Sequence, residues 1–203
     1  MLSADEIADA LAIEKGPGKL TVVPRPDDAT LRKRAATSID LRLGRWFRSF
    51  KQTRSQAYSL VGPEPDESDK PSEVSRTKQH FVPFGERFVL HPGRFVLGVT
   101  LEWLQLPAHL SGYVTGKSSL GRHGLVIETA AGIHPHFSGC LTLELANVGE
   151  VPLAIHPGMP VCQIFLHHTK PSELSDLGEF SGRRKPLLSP PKSDDIFQRL
   201  RER

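Results

Sequence analysis

The chain has 203 residues, 38% of them apolar and 24% charged, which fits one domain with a real hydrophobic core. No run of about 18 or more apolar residues occurs, which argues against a membrane-spanning helix. The N-terminal MLSADEIADALAIEKG lacks the basic start and apolar block of a secretory signal, so a cytoplasmic protein with no membrane partner is expected. The formal charge of +3 comes mostly from GRRKP (182–186) and RLRER (199–203). No basic stripe interleaves with aromatics, so no nucleic-acid partner is expected.

The first predicted element is a helix. Ser3 and Glu6 form an S-x-x-E capping box, Ile7 and Leu11 give one apolar face, and Gly16 stops it. Helical periodicity then disappears. KLTVVP (19–24), SIDLRLG (38–44), RFVLHPG (87–93), RFVLGVTLEWLQLP (94–107), GLVIET (124–129), GCLTLELANVG (139–149), PLAIHPG (152–158) and PVCQIFLHH (160–168) are short and rich in Val, Ile, Leu, Thr and Phe. Gly, Pro or Asn punctuates them, the spacing of a β-sandwich or jelly roll. Residues 62–78 are charged and proline-bearing and read as a surface excursion. The domain is expected to end near 169. Residues 170–203 form a polar C-terminal tail that could act as a lid. Cys140 and Cys162 lie in apolar segments and read as buried small hydrophobes rather than a disulfide.

GKSSLGRHGL (116–125) carries more hydrogen-bonding capacity than a turn needs. Its small residues allow a turn whose N–H groups point one way, a nest for anions. Ser118 and Ser119 add hydroxyls, and Lys117 and Arg122 add charge. The segment suits a phosphate chain, although it lacks Walker-loop spacing and a plain basic hairpin would also account for it. Downstream, Glu144 stands among Leu141, Leu143 and Leu145. Strand alternation puts the leucines on one face and Thr142, Glu144 and Ala146 on the other. Glu144 reads either as a rim residue or, if that face is covered, as a proton-transferring carboxylate. His134 with His136 and His167 with His168 lack a third ligand in view, and no metal site is assigned to them.

IDLRLG (39–44), LHPGRFVLGVTLEWLQLP, GKSSLGRHGL, TAAGIHPHFSGCLTLELANVG and HPGMPVCQIF (156–165), in this order, resemble the dCTP deaminase family of the trimeric dUTPase-like superfamily. The resemblance covers about residues 1 to 190. It implies a mainly β, distorted β-sandwich with a short N-terminal helix, and a homotrimer with active sites at subunit interfaces. It also implies hydrolytic deamination of dCTP to dUTP without zinc, with some members going on to dUMP. The H-x-E and P-C-x-x-C of zinc deaminases are absent from the sequence. By resemblance, Glu144 moves the proton, and Ser118 with a backbone carbonyl near Thr129 or Ala130 holds the water. Arg122 supports Ser118 and the developing charge. Lys117, Ser118 and Ser119 meet the triphosphate, and Phe137 lies against the nucleoside. No tightly bound cofactor is implied beyond Mg2+ carried by the nucleotide.

Three positions depart from the family pattern. His134 replaces an aspartate that holds the sugar 3′-hydroxyl and serves as base in the dUTPase branch. EFSGRRKP (179–186) replaces a Lys-Tyr-Gln-Gly-Gln closing segment, leaving Arg183 with Arg184 and Lys185 as substitutes for its phosphate contacts. Lys117 replaces an arginine. The deamination groups are intact, so an active deaminase with a changed site is expected. A deaminase acting on a different cytosine nucleotide, a bifunctional enzyme and a nucleotide-binding paralogue without turnover are the alternatives.

Overall fold

The computed structural model describes residues 1–33, 36–52, 76–128, 132–171, 181–188 and 199–200. Helix α1 spans Ala4–Ala12, and its capping box forms as expected, with the Glu6 N–H donating to Ser3 Oγ and the Ser3 N–H to the Glu6 carboxylate. Ile7 and Leu11 are buried. After β1 (Thr21–Val23) comes a helix that the pattern reading did not anticipate, α2 (Asp28–Lys33). Its signal was in the sequence. Asp27 accepts from the Thr30 N–H at 3.0 Å, as a capping residue does, and Leu31 buries the inner face.

The rest is β: β2 (Ile39–Arg42), β3 (Trp46–Phe50), β4 (Thr77–Phe81), β5 (Phe88–Leu90), β6 (Phe95–Gln105), β7 (Leu110–Gly116), β8 (Leu125–Glu128), β9 (Gly132–Ile133), β10 (Ser138–Asn147), β11 (Leu153–Ile155) and β12 (Pro160–His168). One turn of helix, α3 (Ser118–Gly121), separates β7 from β8. A six-stranded sheet runs β4-β3-β6-β10-β8, with β1 also on β6. A four-stranded sheet runs β2-β12-β7-β9, and β5 pairs with β11. All named pairings are antiparallel.

The two larger sheets share one core. Leu141, Leu143 and Leu145 from β10 belong to the same buried cluster as Ile39, Leu41, Ile164 and Leu166 from the four-stranded sheet. That is the alternation expected for β10, with Thr142 and Ala146 half-buried and Glu144 exposed on the other face. Where β2 leaves its sheet, Leu43 bridges Thr100 of β6. A Cβ on Gly44 would lie 2.9 Å from the Thr100 carbonyl oxygen, so only glycine passes there.

The mainly β sandwich expectation holds, and strands β3, β4, β7 and β9 are additions to it. Of the excursion expected at 62–78, residues 62–75 lie outside the described residues, and Thr77 and Lys78 belong to β4. Within the tail, residues 181–188 lie across the outer face of the six-stranded sheet. The Cys140 N–H donates to the Arg183 carbonyl at 2.8 Å, the Gly182 N–H donates to Ser138, and Arg48 Nε donates to the buried Pro186 carbonyl. Cation–π contacts hold this strap down: Arg184 stands 4.9 Å from the Trp103 ring and Lys185 4.1 Å from Trp46. Among the described residues no helix is long and apolar enough to cross a membrane.

Candidate active site

Glu144 sits in mid-strand, directly opposite Leu97 of β6 and Glu128 of β8. Opposed residues in a ladder share a face, with Cβ atoms about 4.5–5.5 Å apart. The exposed face of β10 therefore presents two adjacent carboxylates. Glu128 was missed in the sequence because only the register of β8 on β10 reveals it. Leu97 also pairs with Arg48 of β3, so Glu144 shares its face with the residues beneath the strap. Glu144 makes no hydrogen bond or ion pair among the described residues.

The second group is the turn after β7. Ser118, Ser119 and Arg122 are exposed. Their side chains, too, have no polar partner among the described residues. The backbone keeps only part of the expected nest. The N–H groups of Leu120 and Gly121 donate to the Lys117 carbonyl and that of Arg122 to the Ser118 carbonyl, at 2.9–3.1 Å. Residues 120–122 thus spend their donors inside one helical turn, while the N–H groups of Ser118 and Ser119, their hydroxyls and Arg122 stay open among the described residues. Lys117 is also committed, with Nζ 2.6 Å from Asp40 Oδ1. Gly124 turns the chain into β8 at φ +88, so close to Gly149 that a Cβ would lie 2.7 Å from its nitrogen.

These groups stand apart in one chain. Leu125 opens β8 opposite Asn147, and Glu128 faces Glu144 three residues further on. Glu144 is therefore about 10 Å along the strand from the end where the turn lies. No hydrogen bond or ion pair joins it to Ser118, Ser119 or Arg122 among the described residues.

The remaining predicted residues divide. Thr129 and Ala130 lie outside the described residues. His134 is exposed, and its carbonyl accepts the Phe137 N–H at 3.3 Å. Phe137 is half-buried and packs against the core, while its carbonyl accepts from Leu106. Arg183 is exposed, with its carbonyl tied to Cys140. Arg184 and Lys185, expected to substitute for lost phosphate contacts, are exposed and stand over tryptophan rings. Of the histidine pairs, His168 stacks on His109 and approaches Glu6 at 3.7 Å. Among the described residues no group of three or more His, Cys, Asp or Glu side chains is arranged to hold a metal.

One carboxylate near this region is structural. Glu102 of β6 is 2% exposed. It accepts from the Arg42 N–H at 2.7 Å and from Arg42 Nη1 at 3.3 Å. Burial raises its pKa, and the Arg42 contacts pull against that rise. Cys162 is fully buried, and desolvation, with Glu102 adding, pushes its thiol up to about 12.

Comparison with known proteins bears on this arrangement. The family model for dCTP deaminase-like proteins matches residues 1–169. A protein of Corynebacterium diphtheriae named dCTP deaminase, dUMP-forming, is 44% identical over 160 residues, covering 75% of this chain and 81% of that one. A protein of the same name from Mycobacterium ulcerans is 41% identical over 186 residues, covering 88% and 91%. Among solved structures, the 2′-deoxycytidine 5′-triphosphate deaminase of Agrobacterium tumefaciens superposes with a TM-score of 0.56 at 23% identity over 81% of this chain, which supports the fold. This chain spans 46% of that longer one. With the family model and both relatives matching across its β framework, the chain belongs to the dCTP deaminase-like family.

Proposed function

We propose that the protein is a hydrolytic deaminase of dCTP, acting without zinc, in which Glu144 moves the proton. The carrying observation is an exposed carboxylate with no polar partner among the described residues, held by a strand whose other face is fully packed. Glu144 takes a proton from a water positioned by Ser118 and a carbonyl near Thr129 or Ala130. The hydroxide adds to C4 of cytosine while N3 is protonated. The C4 hydroxyl then gives its proton through Glu144 to the amino group, the C4–N bond breaks, ammonia leaves, and the C4 carbonyl of uracil remains. Ser118, Ser119 and Arg122 meet the triphosphate, with Mg2+ carried by the nucleotide. Phe137, His134 and Arg183 border the nucleoside and tail side.

The separation of Glu144 from the 117–122 turn supports a site completed between subunits. We assign a homotrimer, in a cytoplasmic enzyme whose residues 1–169 form the β domain and 170–203 the tail. Light scattering should give three chains per particle; a stable monomer at micromolar concentration would remove this assignment. Ammonia release from dCTP, dCMP and CTP tests the activity. A protein that binds dCTP but releases none is a nucleotide-binding paralogue.

A second reading concerns the product. The relatives' names favour hydrolysis on to dUMP. His134 favours a stop at dUTP, because that position lacks the carboxylate base. Chromatography of the products decides. Loss of dUMP on changing His134 to Ala would make the imidazole the base.

A further inference from the structure

Lys117 is a junction of three elements. Its N–H donates to the Val161 carbonyl at 3.0 Å, joining it to β12. Its carbonyl accepts from Leu120 and Gly121, which starts α3. Its ammonium reaches Asp40 of β2 at 2.6 Å. Gln163 of β12 lies between Asp40 on one side and Thr115 of β7 on the other, so the ion pair bridges the two strands that flank β12. No side chain caps α3, so these contacts set where the turn begins. Asp40 is itself anchored. Two residues on, the Arg42 N–H and guanidinium are held by the buried Glu102. The line runs from a carboxylate in the core, through β2, to the first residue of the turn.

We propose that Asp40 is a positioning residue for the candidate site, tethering Lys117 across β12 so that Ser118, Ser119 and Arg122 are presented in register. Lys117 is then a structural cation, and Arg122 is the turn's phosphate-facing charge. This rests on the reading of 117–122 as the nucleotide-facing turn. The sign of the effect separates it from simple electrostatics. Removing a carboxylate near a triphosphate would tighten binding through Coulomb attraction alone. Removing a tether loosens it.

The test uses the full chain and two readouts. In dCTP titrations Asp40→Asn should weaken binding about tenfold, the size of one charge-assisted contact. Lys117→Met should match it, and the double variant should be no weaker than either. Asp40→Glu should restore most of the affinity. Independently of any nucleotide, acetylation of Lys117 by an amine-reactive ester, followed by mass spectrometry, should speed up about threefold or more in Asp40→Asn once the contact is gone. Unchanged labelling, tighter dCTP binding in Asp40→Asn, or additive losses in the double variant would each overturn the proposal. If wild type binds no cytosine nucleotide, the reading of the turn fails. The labelling then decides alone whether Asp40 holds Lys117.

Discussion

Strands β6 and β10 lie side by side, and each carries one glutamate in a run of apolar residues. Glu102 shares its parity with buried Val96, Thr100 and Leu104, and its oxygens are taken by Arg42. Glu144 has the opposite orientation, outward from Leu143 and Leu145, and its oxygens are uncommitted among the described residues. The inward carboxylate ties two sheets together, while the outward one is available for chemistry. Both are glutamates flanked by large apolar residues, so partner and face separate the roles.

The largest expected break in that contrast is Glu144→Gln. It keeps shape and hydrogen-bonding reach but cannot shuttle a proton. Ammonia release should fall about 10²–10⁴-fold with dCTP affinity nearly unchanged. Exhaustive chelation of transition metals should leave the wild-type rate intact, and loss of activity there would refute the zinc-free mechanism. One residue away, Leu143→Ala should act on stability, costing about 2–5 kcal/mol in urea unfolding, whereas Thr142→Ala on the outer face should cost far less. Arg122→Ala should cost about 1.5–3 kcal/mol of dCTP binding or transition-state stabilisation, with unfolding unchanged.

The smallest effect is a pH slope. Burial raises the Glu102 pKa above its ordinary 4.5. The folded state therefore holds that proton to higher pH than the unfolded chain does. Stability contributed by this difference is present at low pH and declines as pH rises above about 4.5 through the folded value. Glu102→Gln should lack that decline, so the urea midpoints of wild type and variant should diverge upward from this pH. Parallel curves would mean that Arg42 compensates burial completely.

Much of the framework was legible in the sequence. The capping box at Ser3 and Glu6 was read correctly because its contacts are local. The alternation of β10 was legible because one face is packed and the other is not. β7 was missed because LSGYVTG places Gly112 at a buried position, with Leu110 and Val114, where a larger residue would have shown the pattern. A Cβ there would lie 2.9 Å from Ile164. Glu128 and Asp40 were missed for a different reason. Each gains its meaning from a residue on another element, Glu144 on β10 and Lys117 at the start of the turn. The fate of Arg184 and Lys185 followed from aromatic rings 81 and 139 positions earlier in the sequence, at Trp103 and Trp46.

The strap gives the protein an optical readout of its own tail. The chain has two tryptophans. Each has a cation of residues 184–185 stacked on its ring. Emission excited selectively at the indoles therefore comes from rings that the strap covers. Any nucleotide, salt or variant that lifts this segment changes the polarity around both emitters at once. Trp46→Phe and Trp103→Phe would resolve the two halves of the strap, so its docking and release can be timed in the unlabelled protein during turnover.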